Sequence, residues 1–212
     1  MFNRSVFEKS ASAIALICAL AAFSAPAAAV PFNVAGGKTV SITGEVGVIT
    51  ADGVTAGFGD ATAFPPAPLS SIVDGVYLQE GTYWQQGTVW WDERHPGSAN
   101  NIIEVDLNGL FLISAVSIQA DNNDEYVLSY RSAGGVWTEF AYATVFGDAG
   151  MRTRAGGVGP FEATGFRIDA RAGDGFYSVS EFQATGVAVP LPGTLALLGL
   201  GLSGLLLRRR SR

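Results

Sequence analysis

Cysteine, histidine and net positive charge are all scarce in this 212-residue chain. The single cysteine, Cys18, lies near the N-terminus, so the rest of the chain offers no disulfide, no thiolate nucleophile and no cysteine-based metal site. The single histidine, His95, excludes multi-histidine zinc sites. It also leaves one candidate base for a catalytic triad, and no Gly-x-Ser-x-Gly nucleophile elbow accompanies it.

Basic residues are few between residues 30 and 186. This span contains seven Lys or Arg residues and eighteen Asp or Glu residues, which gives a net charge of −11. A nucleic-acid surface needs clustered positive charge, so the composition argues against nucleic acid as a partner. An acidic, glycine-rich chain fits a soluble extracellular protein that meets divalent cations.

Long apolar runs occur only at the two ends of the chain. At the N-terminus a charged start precedes the apolar run 11–23, and small residues follow at Ala27–Ala29. This order is typical of a secretory signal peptide. Residues 1–29 are therefore predicted to be a signal peptide that is cleaved before Val30.

The C-terminal run combines prolines, leucines and arginines. Pro190 and Pro192 exclude a helix through their own segment, because proline lacks an N–H and restricts the residue before it. The uncharged run 195–207 follows and, with its neighbours, just reaches the length of a transmembrane helix. Leucines lie all round this helix, which disfavours a buried core helix as the alternative. Three arginines then place the C-terminus in the cytoplasm: Arg208, Arg209 and Arg210.

This order of a Pro-x-Pro motif, an apolar helix and an arginine cluster over residues 187–212 resembles the PEP-CTERM sorting signal. It is most similar to the Val-Pro-Leu-Pro-Ala variant, with Gly193 in the alanine position. The resemblance implies export, transient anchoring in the inner membrane and processing near Pro190–Pro192 by an exosortase, a membrane cysteine transpeptidase. The expected destination is the cell surface or the extracellular matrix, and a permanent C-terminal anchor is the alternative.

Short β-type runs separated by glycine-rich turns fill residues 30–186, and no long amphipathic helix is evident there. This pattern predicts a single all-β domain, a β-sandwich. The runs predicted to be strands are 38–43, 45–50, 102–107, 112–119, 125–131, 136–144, 165–170 and 176–185.

Two finer predictions follow from the same patterns. Leu112, Val116 and Ile118 are predicted to share one face of a strand, because strand side chains alternate. Residues 147–159 are predicted to form a long loop, because glycines recur through the segment.

The order of several short motifs resembles the galactose-binding, discoidin-like jelly roll. These motifs are Asp74-Gly75, Thr82-x-Trp84, Ile103-x-Val105-Asp106-Leu107, Val116-x-Ile118, the Tyr126–Tyr130 strand, Trp137, Phe166-x-Ile168 and Ser180-Glu181-Phe182. The chain differs from that family by lacking terminal cysteines and by lengthening the loop 74–82. The resemblance implies a jelly-roll β-sandwich.

The same resemblance implies a structural Ca²⁺ ion, which many members of the family hold. The matching residues are Asp74, Thr82 and Glu181, and Ca²⁺ accepts carboxylate, hydroxyl and carbonyl oxygens of this kind. The alternative is that Asp74 belongs to a simple turn and that Glu181 is an exposed strand carboxylate. The acidic segment Asp121–Glu125 could also gather a cation, but a solvated turn is the favoured interpretation.

Aromatic residues concentrate between residues 77 and 95. Tyr83, Trp90, Arg94 and His95 are predicted to line a glycan-binding surface, because indole and phenol rings stack on sugars while polar groups orient the hydroxyls. The alternative is that these aromatics pack the core. Asp92 and Glu93 lie beside His95 and could hydrolyse a glycoside, although the pattern is nonspecific.

The sequence therefore predicts an exported, non-catalytic β-sandwich that contacts a glycan or an extracellular polymer such as exopolysaccharide. Two alternatives remain: a purely structural matrix component without a defined ligand, and a glycan hydrolase.

Overall fold

A computed structural model describes residues 29–189 of the chain. Within this range the backbone forms eight strands, one short α-helix and one 3₁₀ helix. The strands are β1 (Phe32–Asn33), β2 (Thr39–Ile42), β3 (Val89–Asp92), β4 (Ile102–Asp121), β5 (Glu125–Arg131), β6 (Trp137–Ala143), β7 (Met151–Ala172) and β8 (Phe176–Ala188). The helix α1 is Ala51–Thr55, and the 3₁₀ helix is Leu69–Val73.

Two long strands connect the two layers of the sandwich. β4 and β7 pair antiparallel along most of their lengths, from Ile102 opposite Asp169 to Asp121 opposite Met151. The first part of β4 also pairs with β2, and its second part pairs with β8. One sheet therefore runs β2–β4–β7–β5–β6, and the other contains β7, β4 and β8 with β1 and β3 paired to β8. The predicted all-β sandwich is confirmed.

The core lies between these two sheets. Phe166 of β7 and Phe182 of β8 are both fully buried, and their ring centroids are 5.0 Å apart. Tyr126 of β5 and Tyr177 of β8 make a second contact across the layers, at 6.0 Å. Side chains that alternate along each strand supply the rest of this core, as period-2 patterning requires.

Irregular pairing within β4 changes which side chains face inward. The register shifts between Asp106 and Phe111, where Asn108 has a φ of 53°, and shifts again between Ile113 and Ala115. A bulge of this kind reverses the alternation beyond it. Leu112 is consequently 40% exposed, whereas Val116 and Ile118 are buried. The prediction that these three share one face is wrong for Leu112.

Two predicted segments differ from the structure. Residues 45–50 form no strand, and the left-handed φ of 75° at Gly47 interrupts the extended backbone there. The predicted loop 147–159 is wrong from Met151 onward, because β7 begins at that residue. A Cβ atom on Gly156 would lie 2.6 Å from a methyl carbon of Leu128, so glycine here permits close packing within a strand.

The last strand runs directly into the C-terminal tail. Val187 pairs with Leu112 and Ala188 pairs with Phe111, and the Val189 N–H donates to the Leu110 carbonyl over 2.9 Å. The sheet therefore continues two residues past the predicted boundary at residue 186. None of the helices in residues 29–189 has the length and apolar content that crossing a bilayer requires. The predicted signal helix and transmembrane helix lie outside the described residues.

The contact between the two layers gives a direct test of the fold. Phe166→Ala should lower the free energy of unfolding by roughly 3–5 kcal/mol, because it removes a fully buried ring from between the sheets. Thr138→Ala is the matched control: the residue is exposed on β6, and the change should stay within about 0.5 kcal/mol. Urea unfolding followed by tryptophan fluorescence measures both, and equal effects would contradict the assigned core.

Candidate functional site

The aromatic segment predicted to bind glycan contributes mainly to a small second core. Trp90 on β3 is fully buried, and its indole N–H donates to the Phe64 carbonyl over 3.1 Å. Its ring lies 5.5 Å from that of Trp84, which itself contacts Phe58 and Phe176. Trp90 has no exposed face for a sugar, so the glycan contact predicted for it does not fit the structure.

The other three predicted glycan residues are partly accessible but engaged with different partners. Tyr83 packs its ring 5.7 Å from Phe64. The Arg94 guanidinium lies 3.9 Å from the centre of the Phe176 ring, and the His95 Nδ1 atom lies 3.6 Å from a carboxylate oxygen of Glu45. Within residues 29–189, no hydrogen bond or ring contact joins Tyr83 to Arg94 or His95. The structure therefore does not gather them into one cluster.

Asp92, the carboxylate considered for glycoside hydrolysis, is held on both oxygens. One oxygen accepts hydrogen bonds from the Arg94 backbone N–H and Nε atom, each over 3.0 Å. The other accepts from the Thr50 N–H over 3.0 Å and from the Thr50 hydroxyl over 2.6 Å. Burial acts to raise the pKa of Asp92, but the bonds from Arg94 and Thr50 outweigh it and hold that pKa below its usual range. This geometry gives Asp92 a structural role.

Two of the three predicted calcium ligands meet at the edge of β8. Glu181 is fully buried, and its Oε1 atom accepts a 3.1 Å hydrogen bond from the Gly75 N–H, while Oε2 has no partner in the described residues. Burial raises the pKa of Glu181 to about 7; the Gln183 side chain opposes this rise, and the nearby Asp74 carboxylate adds to it. The alternative prediction of an exposed Glu181 does not fit. The Thr82 hydroxyl donates to the Gln79 carbonyl over 2.6 Å instead.

A buried carboxylate with an unused oxygen fits a cation, which would supply the missing positive charge. No group of three or more His, Cys, Asp or Glu side chains in residues 29–189 is arranged to hold a metal ion. A Ca²⁺ ion near Asp74 and Glu181 would therefore need backbone carbonyl or hydroxyl oxygens to complete its coordination.

The acidic turn after β4 is buried rather than solvated. Asp121 and Asp124 are almost fully buried, and the Asp121 Oδ1 atom accepts from the Gly150 N–H over 2.6 Å. Arg154 donates to the backbone carbonyls of both residues, over 2.7 Å to Asp121 and 3.0 Å to Asp124. The favoured interpretation of a solvated turn was wrong, and the segment instead fixes the strands around Arg154.

Asp124 faces one acidic group of its own turn and one from the connection between β7 and β8. Burial, followed by the charges of Asp121 and Asp174, raises the pKa of Asp124 to about 8. The Asp174 N–H and the Tyr126 hydroxyl donate to its two oxygens over 3.3 and 3.4 Å, which opposes the rise only in part. Arg154 completes the charged surroundings, with its guanidinium 5.5 Å from the Tyr126 ring.

A polar cleft opens on the outer face of the β2–β4–β7–β5–β6 sheet, away from the core. Its volume is about 220 Å³. We call it the sheet-face cleft. Its lining residues are Ile102, Ser129, Trp137, Glu139, Arg167, Asp169 and Arg171. Sequence reasoning missed this site, although the alternating Arg-x-Asp-x-Arg pattern of residues 167–171 indicated a charged outer face.

Ion pairs order the cleft and its border. The Arg167 guanidinium bonds to Glu104 over 2.6 Å, and that of Arg171 bonds to both Glu139 and Asp169 over 3.1 Å. Hydrogen bonds from Tyr142 and then Arg171 lower the pKa of Glu139, and bonds to Asp169 and Glu139 raise the pKa of Arg171. Both groups therefore stay charged at neutral pH.

Comparison with known proteins identifies the tail. Residues 188–210 match the family described as the PEP-CTERM protein-sorting motif. This match confirms the predicted sorting signal, while the Val-Pro-Leu-Pro-Ala subtype stays a prediction. The chain has no sequence match among curated proteins.

Solved structures similar to the sandwich include family 32 carbohydrate-binding modules from Clostridium perfringens. The module of NanJ, solved in complex with galactose, is 20% identical with a TM-score of 0.47, and the match covers 74% of this chain and 99% of that module. The module CpGH89CBM32-4, in complex with GlcNAc-α-1,4-galactose, is 14% identical with a TM-score of 0.49, and the match covers 76% of this chain and 99% of that module.

The buried acidic turn predicts a pH-dependent stability. A carboxyl whose folded pKa is about 8, against roughly 3.9 when unfolded, binds more protons in the folded state between those values. The free energy of unfolding should therefore fall as pH rises through this window, by up to roughly 1.4 kcal/mol per unit for one such group. Asp124→Asn should reduce the slope and leave the contributions of Asp121 and Glu181, whose pKa values are also raised and which therefore act in the same direction.

Urea unfolding at pH 5, 6, 7 and 8 in the presence of EDTA measures this slope. Glu162→Gln, on the exposed side of β7, is the matched control and should keep the wild-type slope. A wild-type protein equally stable across this range would contradict the assignment.

Proposed function

We propose that this chain is an exported protein that an exosortase sorts to the cell surface or the extracellular matrix. Its β-sandwich would act there as a non-catalytic module that binds glycan or another extracellular polymer, such as exopolysaccharide. The PEP-CTERM match at residues 188–210 is the observation that carries the sorting part of the proposal. The N-terminal signal peptide predicted for residues 1–29 agrees with it.

The glycan-binding part rests on this chain's own surface. An open polar cleft with an indole among its lining residues can stack on and hydrogen-bond a sugar. The two Clostridium modules were solved in complex with galactose or a galactose-containing disaccharide, but their backbones differ too much from this chain to place a ligand on it. A structural matrix protein without a defined ligand is the second candidate, because the sorting motif alone supports it equally well.

A structural calcium ion is part of the same proposal. The unpartnered Glu181 oxygen beside Asp74 supports a cation at this edge of the sandwich. Such an ion would neutralise two neighbouring carboxylates and fix the loop that carries Gly75 against β8. The Thr82 hydroxyl would coordinate the ion through an oxygen lone pair while its proton stays donated to the Gln79 carbonyl.

The sorting proposal predicts a processed C-terminus. In a host that encodes an exosortase, the wild-type protein should reach the surface without residues 195–207, because the enzyme cuts near Pro190–Pro192. A variant carrying both Pro190→Ala and Pro192→Ala should stay at full length in the membrane fraction, and Ser211→Ala is the matched control. Cell fractionation with mass spectrometry of the C-terminus measures this, and a wild-type protein that keeps its full C-terminus would show a permanent anchor instead.

The calcium proposal predicts a metal-dependent melting temperature. Addition of CaCl₂ after EDTA treatment should raise the melting temperature of the wild-type protein and leave that of Glu181→Gln unchanged. The rise should be larger at pH 8 than at pH 6, because Glu181, with a pKa of about 7, must lose its proton to bind the ion. Glu162→Gln should respond like wild type. If calcium does not change the melting temperature of the wild-type protein, the proposed calcium site is contradicted.

A further inference from the structure

We propose that the sheet-face cleft binds a neutral saccharide unit of an extracellular polymer, with Trp137, Ser129 and Asp169 making the main contacts. This inference rests on the proposed glycan-binding function and gives it a site and a ligand class. The site lies on the outer face of the β2–β4–β7–β5–β6 sheet and not in the segment 83–95 that the sequence favoured.

Strand register brings the lining side chains together on one face. Ser129 of β5 lies directly opposite Glu139 of β6 on one side and Arg167 of β7 on the other. Directly opposed residues have Cβ atoms about 4.5–5.5 Å apart, so their polar groups can contact one ligand. Trp137 lies two residues from Glu139 on β6, and Asp169 lies two residues from Arg167 on β7. Residues two apart in a strand share a face, so both side chains lie on the face that carries Ser129.

The cleft has spare hydrogen-bonding groups of both kinds. Within residues 29–189, the Ser129 hydroxyl, the Asp169 Oδ1 atom and the Trp137 indole N–H make no hydrogen bond. Arg171 uses one Nη atom for both of its carboxylate bonds, which leaves its other N–H groups free of protein acceptors in the same part of the chain. Sugar hydroxyls both donate and accept, so they match such a mixed set better than a purely anionic or cationic ligand does.

The charges around the cleft favour a neutral ligand. Arg167 and Arg171 are already paired with carboxylates, and Arg131 at the border is paired with Asp106 over 3.1 Å. These three arginines face four carboxylates, because Arg171 contacts both Glu139 and Asp169. The domain itself has a strong negative charge. An anionic polymer would meet repulsion and no unpaired cation, whereas hydroxyl groups carry no charge.

Trp137 supplies apolar surface at the cleft and is held in place. The Arg167 guanidinium lies 4.0 Å from the centre of the indole ring, and Arg131 lies 5.5 Å from it. Because Arg167 is also bonded to Glu104, the ring and its neighbours form an ordered unit. Preorganised side chains lose less conformational freedom when a ligand binds.

The size of the cleft fits one saccharide unit. Its volume of about 220 Å³ is below the roughly 300–1,000 Å³ of pockets for drug-sized ligands. The cleft lies on an open sheet face, so neighbouring units of a polymer could continue beyond it. If each domain binds one unit of a repeating polymer, many domains can bind the same polymer together. The combined binding is then strong even though each single contact is weak.

Binding of purified full-length protein to polysaccharides tests the inference. Affinity electrophoresis should show retardation by a neutral galactan or dextran and none by polygalacturonate. Trp137→Ala and Asp169→Asn should each weaken the interaction by roughly tenfold, while Val136→Ala, an exposed neighbour on the same edge, should leave it unchanged. The double variant of Arg94→Ala and His95→Ala should bind like wild type. Thermal melting confirms that each variant is folded.

The possible outcomes separate the site from the function. Binding could persist in Trp137→Ala and Asp169→Asn but be lost in the Arg94 and His95 variant. This result would place the binding site elsewhere and overturn this inference, while the proposed function would stand. Binding to polygalacturonate alone would overturn the ligand class. Failure of the wild-type protein to bind any of these polymers, or others on a glycan array, would overturn the proposed function as well.

Discussion

Every other strand in residues 29–189 is attached to the antiparallel pair of β4 and β7, either directly or through one neighbouring strand. β4 and β7 are each about twenty residues long and contribute to both layers, so a single ladder of hydrogen bonds connects the two sheets. Their inner side chains build the core that Phe166 and Phe182 share. Outer side chains of β4 and β7, together with those of β5 and β6, line the sheet-face cleft. Register errors along this ladder would therefore disturb the core and the cleft together.

Charge is placed in three different environments on this scaffold. The buried turn around Asp124 gathers carboxylates near the Arg154 guanidinium, and burial raises the pKa of Asp124 there. Glu181 keeps an unused oxygen at the edge of β8, which supports a cation. On the sheet face nearly every charged side chain is paired with one of opposite charge. The groups left free there are hydrogen-bond donors and acceptors that suit hydroxyl ligands. These differences follow from burial, because an unpaired charge lowers the stability of the fold strongly in the interior and only slightly at the surface.

The sequence predicted the all-β class, most strands and the sorting tail, because period-2 alternation, apolar length and proline position are local signals. It failed where tertiary contacts decide. Leu112 faces outward because of a bulge in β4, and Gly156 lies in a strand at a position where a side chain would collide with Leu128. Trp90 was expected at a sugar but is buried, since an aromatic-rich segment can serve a core or a surface equally well. The cleft is lined by residues of strands β4 to β7. Predicting it would have required the pairing register of these strands, which only the structure provides.

The proposed function combines PEP-CTERM sorting with a sandwich whose sheet-face cleft would bind a neutral polymer. Backbone amide chemical shifts of isotope-labelled protein, recorded by NMR during titration with a neutral oligosaccharide, test this claim most directly. We expect saturable shifts concentrated on β5, β6 and the second half of β7, around Ser129, Trp137 and Asp169. Shifts concentrated at residues 83–95, or none at saturating sugar, would contradict it.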